Sequence, residues 1–371
     1  MLVAECCVCY IDMRSIRSCL QELHCMKKFN GVVGLTHVAT FVTVTCIGCR
    51  EDSAPPTSAE SLFTGPTLFL PLGTLRSPRG IAVDDSGRVW VSDTYSDLVR
   101  CFAPNGSERF RLPGIILPTN MGIDRATHTI LLVSDQTMII RIDPNTNTPT
   151  VVIDLDGSPI DTSSMYNVIS SQTQRRIVNL PVMGDLDGAG NGEIFVSVLA
   201  NGAENFVLRV RGGEASAIAY SPLRPLVPSD AGTRFLSVDD FGTVYTSFVF
   251  STSSTSTLTH VFALTPGNLA ASHLLSGPRI SAGAQGSSIE PSGFMFIADT
   301  FLRQMVIIST ISERTFDALT IPAVSGMTEA VPTDIGVAPD GSVYVATADM
   351  PDSEHQRGAV LKYTRRMPAK F

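Results

Sequence analysis

The most specific local signal for chemistry is a run that sets acids and an amide among glycines, Gly184-Asp185-Leu186-Asp187-Gly188-Ala189-Gly190-Asn191-Gly192-Glu193-Ile194. Carboxylates set among glycines are the donors a hard cation such as calcium takes. The same run also reads as a long glycine-rich turn joining two strands. Three further acids, Asp93, Asp135 and Asp299, recur after apolar strand segments. Recurrence points to turn capping through the carboxylate, since a catalytic group would stand alone and break the pattern. No Gly-x-Ser-x-Gly turn, His-Glu-x-x-His helix or phosphate loop occurs, and His128, His260, His273 and His355 are scattered.

The elements that must position these side chains repeat. An apolar residue, a glycine four further on and an aromatic three beyond that recur as Val83/Gly87/Trp90, Val238/Gly242/Tyr245, Ile289/Gly293/Phe296 and Val337/Gly341/Tyr344. Two distorted copies keep Gly192/Phe195, and Ile123 with Leu132-Val133-Ser134-Asp135. Alternating, β-branched segments on either side of a glycine turn predict antiparallel strand pairs. A unit of roughly 40 to 50 residues with about four strands is one propeller blade. The first blade is predicted as strands over 80–84, 88–93, 98–103 and 109–112. The last unit runs out of chain, so Leu68 to Leu72, ahead of the first unit, is expected to complete it and close the ring. The expected fold is all-β, a six-bladed β-propeller over 62–371 closed by an N-terminal strand. The polar stretch Gly157 to Gln172 reads as an excursion from its blade, and Thr252 to Thr259 as a loop.

Pro78 to Thr94 and Pro332 to Thr347 resemble the NHL-repeat unit of six-bladed propellers. Within that architecture, the run from Asp185 resembles the calcium loop of FG-GAP propellers. The resemblance implies Asp185, Asp187, Asn191 (through its carbonyl) and Glu193 as ligands, with Ala189 where a fourth side-chain oxygen is expected. Related gluconolactonase and senescence-marker propellers hold a divalent cation in the central channel. That second resemblance implies Asn120, Asn179, Asp239 and Asp334 as channel residues, although the Glu-Gly-Pro opening of that family is missing.

The chain has 371 residues, 44% of them hydrophobic and 17% charged, and a formal charge of −8. That acidity disfavours nucleic acid as a partner. Cys6, Cys7, Cys9, Cys19, Cys25, Cys46 and Cys49 precede the repeats and leave only Cys101 among them, so no disulfide framework is expected there. From Met26, Lys27 and Lys28 precede an apolar run ending Cys46-Ile47-Gly48-Cys49, which looks like a bacterial lipoprotein signal. Residues 1–25 are then an upstream extension, 26–48 the signal segment, Cys49 the lipidation site and 49–61 a flexible tether.

The expected protein is a monomeric, lipid-anchored propeller on the periplasmic or extracellular face of the cell envelope. It would bind a protein, peptide or glycan on its loop face without catalysis, with no cofactor other than calcium. The alternative is a metal-dependent lactone hydrolase using the channel.

Overall fold

The computed structural model describes residues 62–156, 160–161, 182–199, 206–219, 235–253, 256–264, 271–277, 280–281, 283–311, 314–349 and 357–366. The segments expected over 1–25, 26–48 and 49–61, with Cys49, lie outside the described residues. Strands make up most of the described part, with almost no helix, and no helix in it is long and apolar enough to cross a membrane.

In chain order the strands are β1 (Phe63–Leu75), β2 (Pro78–Val83), β3 (Val89–Asp93), β4 (Leu98–Phe102) and β5 (Glu108–Pro113). Next come β6 (Met121–Asp124), β7 (Thr129–Ser134), β8 (Met138–Asp143), β9 (Thr148–Asp154) and β10 (Ile160–Asp161). They are followed by β11 (Val182–Gly188), β12 (Ile194–Leu199), β13 (Phe206–Arg211), β14 (Glu214–Ala219), β15 (Leu236–Val238), β16 (Val244–Ser253), β17 (Ser256–Leu264) and β18 (Ala271–Gly277). The last are β19 (Ala284–Ile289), β20 (Phe294–Asp299), β21 (Gln304–Ser309), β22 (Arg314–Thr320), β23 (Ala330–Val337), β24 (Val343–Asp349) and β25 (Gly358–Arg365).

The arrangement is propeller-like. Strands β2 to β5, β15 to β18 and β19 to β22 each form a four-stranded sheet, and β1 joins β25, β24 and β23 in a fourth. The segment expected to latch the ring thus lies in β1, where Leu68 pairs with Leu361 and Leu70 with Val360. The remaining strands form one nine-stranded sheet in the order β10-β14-β13-β12-β11-β6-β7-β8-β9, where separate sheets were expected. A single parallel bridge, Gly188 to Asp124, fuses its two halves. Gly188 permits it, since a Cβ there would lie 2.7 Å from the Asp124 Cα.

The core is annular. Trp90, Val99 and Cys101 of the first sheet pack on Ile130, Leu132 and Ile142, and Leu131, Val133 and Ile139 on Val196 and Leu208. Phe195 and Val207 meet Val244 and Phe262, while Tyr245 and Val261 meet Met295 and Ile297. Phe296 and Ile307 meet Val343, Leu361 and Phe63. Tyr344, Ala346 and Val360 return to Val89 and Val91 of the first sheet. Strands sandwiched this way are apolar on both faces, so β3, β7 and β24 are buried at every residue, while the outer β5 alternates. Among the described residues the innermost strands β2, β6, β11, β15, β19 and β23 touch in that cyclic order, with β23 back on β2.

The hairpin turn behind β2 shows why the repeat carries its glycine. Gly87 has φ 73° and donates to the Asp84 carbonyl at 2.8 Å, and Gly341 repeats both features. Thr252 to Thr259 is not the expected loop: β16 and β17 extend through most of it, in keeping with the strand preference of threonine. Of the excursion Gly157 to Gln172, Ile160 and Asp161 pair in parallel with β14, and the rest lies outside the described residues.

Candidate functional site: the axis of the innermost strands

Apart from the single β6–β11 bridge at Gly188, the inner edges of the innermost strands have no further strand to pair with, so their buried amides need another acceptor. Two aspartates supply it. Asp185 on β11 and Asp334 on β23 occupy the same place in their strands, the place held by Gly80 in β2 and Gly286 in β19. Asp334 Oδ2 accepts the Ile81 amide at 2.8 Å, and the Met121 amide also bonds to this carboxylate. Asp185 Oδ2 accepts the amides of Leu236 at 2.9 Å and Ser287 at 3.0 Å, with the Ser287 hydroxyl at 3.2 Å. Each aspartate also takes the next amide of its own strand, Leu186 at 3.0 Å and Ile335 at 2.8 Å. The equivalent inward amides of β2, β6, β11, β15, β19 and β23 are thereby all satisfied by two side chains.

Both carboxylates are fully buried. Burial pushes Asp185 well above the ordinary carboxylate range, and the charge of Asp334 adds to it, while the amides pull the other way. Asp334 is raised in the same way, chiefly by burial. The packing around them is tight: a Cβ on Gly286 would fall 2.0 Å from Asp334 Oδ1.

Two residues along β11, Asp187 turns to the axis as well. It accepts from the amides of Ile123 (3.2 Å) and Val238 (2.9 Å) and pairs with the Arg125 guanidinium at 2.8 Å. Arg125 also reaches the Gly188 carbonyl at 3.0 Å and Asp240 at 3.4 Å. A cavity of about 30 Å³ lies beside this group, lined by Met121, Arg125, Asp187, Ser287, Ser288 and Ile335 among others. That is room for roughly one water.

The run from Asp185 to Glu193 is therefore not one loop. Its first half is strand β11, which aims Asp185 and Asp187 at the axis. Its second half is the hairpin turn, where Asn191 Nδ2 donates to Glu193 Oε2 at 3.0 Å and Glu193 lies 3.7 Å from Arg211. Strand geometry separates the two pairs. Among the described residues no group of three or more His, Cys, Asp or Glu side chains is placed to hold a metal ion.

Of the expected channel residues, Asp334 is the axial one just described. Asn120 stands at the equivalent place at the start of β6, half-buried, its carbonyl accepting from Val133 at 3.1 Å. Asp239 lies at the other end of its strand and caps the β15–β16 turn, accepting from the amides of Phe241 and Thr243 and from the Tyr245 hydroxyl at 3.2 Å. Asn179 lies outside the described residues.

The recurrent acids are structural, and they reach mainly backwards, Asp299 alone among them also capping the turn that follows it as expected. Asp93 accepts the amides of Arg76 and Ser77, Asp299 that of Ser281, and Asp349 those of Thr328 and Glu329, each pinning the segment that enters its own sheet. Asp299 also takes the Leu302 amide, whereas Asp135 is exposed with φ 49°. Cys101 is buried and its thiol is pushed up to about 12 by burial, so it is inert as a nucleophile. Arg125 and Ser287 carry no sequence signal of their own, since neither belongs to the repeat.

The model of the NHL repeat matches residues 75–102. No curated protein matches the chain by sequence. In fold it is similar to regucalcin from Agrobacterium tumefaciens, described as a calcium-binding protein, at 13% identity and a TM-score of 0.55, over 83% of this chain and 96% of that one. A gluconolactonase from Xanthomonas campestris is similar at 14% identity and a TM-score of 0.55, over 85% and 96%. A streptogramin B lyase is similar at 12% identity and a TM-score of 0.52, over 82% and 98%. One architecture thus carries several chemistries, and the likeness is one of fold.

Proposed function

We propose that the chain is a six-bladed propeller enzyme of the gluconolactonase and regucalcin architecture, acting on a small oxygen-rich substrate such as a lactone near one end of its axis. Six blades follow when the nine-stranded sheet is counted as two, β6 to β9 and β11 to β14, joined by the bridge at Gly188. The observation that carries the reading is the likeness in fold, which spans nearly the whole of the gluconolactonase and regucalcin chains. Arg125 is the described side chain best suited to orient a substrate carbonyl or carboxylate, being a permanent cation with donors to spare beside the cavity. A water, but not a substrate, fits that cavity, so substrate would lie beyond it on the hairpin-turn side.

Enzymes of this class use a divalent cation. The described residues do not fit one, since the oxygens of Asp334 and Asp239 are engaged by amides and by Tyr245. A calcium-binding role is supported by the likeness to regucalcin alone. The test is an assay of the purified full-length chain on δ- and γ-lactones, with and without calcium, zinc or manganese, alongside metal analysis. Saturable hydrolysis that falls by about a hundredfold in Arg125→Ala is expected. No turnover under any of these conditions overturns the reading.

A second reading, a non-catalytic module for a protein, peptide or glycan, is favoured by one specific observation: the axial carboxylates are consumed in holding strands together. With either reading goes the proposal of a lipid anchor at Cys49 and a place in the cell envelope. Intact mass of the membrane-extracted protein, with Cys49→Ala as the control, tests that proposal.

A further inference from the structure

At the end of the axis away from the cavity, three segments lock into one rigid surface. The turn after β3 (Thr94–Ser96, a single 3-10 turn) is tied to the segment entering β2 by the Thr94 amide on the Ser77 carbonyl at 3.0 Å. The segment between β5 and β6 is held at nearly every residue. Gly114 donates to the Asp97 carbonyl at 3.1 Å and Leu117 to Asp97 Oδ1 at 2.8 Å. The Ile116 carbonyl accepts from the Ser134 hydroxyl at 2.7 Å and the Asp135 amide at 3.0 Å. The Pro118 and Thr119 carbonyls accept from the hydroxyls of Thr94 and Ser92, each at 2.6 Å.

This framework turns apolar side chains outward. Tyr95 is 51% exposed, Ile116 57% and Leu117 37%. Leu117 also has φ 40°, the left-handed region that favours glycine and disfavours a bulky side chain. Strain retained in a segment so thoroughly held, for a leucine that packs little, points away from a folding role. Charge identifies the complement. Arg76 is exposed and Arg79 half-buried on the adjoining segment, and among the described residues no carboxylate pairs with either. In a chain of formal charge −8, the segment entering β2, tied to Thr94 through the Ser77 carbonyl, thus carries two guanidinium groups with no carboxylate partner among the described residues.

We propose that Tyr95, Ile116 and Leu117, flanked by Arg76 and Arg79, form a docking surface for a peptide segment that alternates carboxylate and large apolar side chains. Leucine or phenylalanine side chains of the partner cover the cluster, and its carboxylates take the two guanidinium groups, for which Arg forks are shaped. An aliphatic cluster desolvates apolar side chains better than sugar rings, which places a peptide ahead of a glycan. The surface lies at the opposite end of β2 from the cavity, so the proposal goes beyond the lactonase reading and does not depend on it.

The test is fluorescence anisotropy of a labelled, end-capped pentapeptide of alternating leucine and aspartate titrated with the full-length chain, beside the same peptide with asparagine for aspartate. The expected result is saturable binding that weakens about tenfold or more with the asparagine peptide, with Arg76→Ala/Arg79→Ala and with Leu117→Gly. Leu117→Gly is the decisive variant, because glycine relieves the strain: its thermal midpoint should equal or exceed that of the parent while binding is lost. Lactone turnover should be untouched by it. Absence of peptide binding by the parent chain, binding of a uronic-acid oligosaccharide in place of the peptide, or a lowered midpoint in Leu117→Gly would each overturn the proposal.

Discussion

Asp185 and Asp334 stand at the same position of their innermost strands, and each takes one backbone amide from each of the two strands that follow it around the axis. Asp334 serves β2 and β6, and Asp185 serves β15 and β19. The centre of the propeller is thus held by two carboxylates in place of strand pairing, which the inner edges lack apart from the β6–β11 bridge.

Replacing Asp334 by alanine leaves the amides of Ile81, Met121 and Ile335 buried without an acceptor. Each such loss costs about 1–3 kcal/mol. Unfolding in denaturant should show a loss of roughly 3 kcal/mol or more for Asp334→Ala, and a smaller loss for Asp334→Asn, which keeps one acceptor oxygen. A change within about 0.5 kcal/mol, typical of a surface site, would show that the axis is not held this way.

The same pair sets a pH dependence. Both carboxylates have folded values raised above the ordinary 3.8, so the folded state keeps protons that the unfolded chain releases. Their contribution to stability is complete below about pH 4 and is lost as pH rises from there through the raised folded values. Glu108 acts in the opposite sense. Hydrogen bonds from Arg100 and Arg111 lower it to about 2, so its contribution is present above the ordinary range and lost as pH falls towards 2. Glu108 is partly exposed and its effect is small. The thermal midpoint should therefore decline from pH 5 to pH 9, and the decline should be shallower in Asp334→Asn.

Trp90 is the single tryptophan, and its indole Nε1 donates to Asp84 Oδ2 at 2.9 Å. Asp84 also takes the amides of Ser86 and Arg88, so it organises the turn and the aromatic anchor together. Asp84→Ala should cost about 1–3 kcal/mol and shift the intrinsic fluorescence maximum, since a buried indole N–H loses its acceptor. An unchanged spectrum would contradict the contact.

Closure of the ring rests partly on Arg365 and Glu290, which are 3.2 Å apart with side chains only 4% and 3% exposed. The guanidinium also lies over the rings of Phe63, on the latching strand, and Phe294. Glu290→Ala leaves a buried arginine unpaired, which should cost about 3–5 kcal/mol. Limited proteolysis should then cut near β1 first, and unaltered resistance there would count against the latch.

Much of this was legible in the sequence. The spacing of Val83, Gly87 and Trp90 places β2 and β3 within two residues of their observed ends, and Leu68 to Leu72 falls inside β1. The axis was not legible, because what joins Asp334 to Ile81 is a backbone amide, and every residue has one. Nor was the strand within Gly184 to Ile194, where glycines concealed that Asp185 and Asp187 alternate towards one side. Arg125 lies outside the repeat and was missed for that reason.

Hydrogen exchange of the amides of Ile81, Met121, Leu186, Leu236, Ser287 and Ile335 tests the central claim most directly, compared between the parent chain and Asp334→Asn. All six should be strongly protected in the parent, and the substitution should speed exchange at Ile81, Met121 and Ile335 well beyond its effect on Leu186, Leu236 and Ser287. Loop-like exchange at these amides in the parent, or an equal acceleration of all six, would contradict an axis shared between two carboxylates.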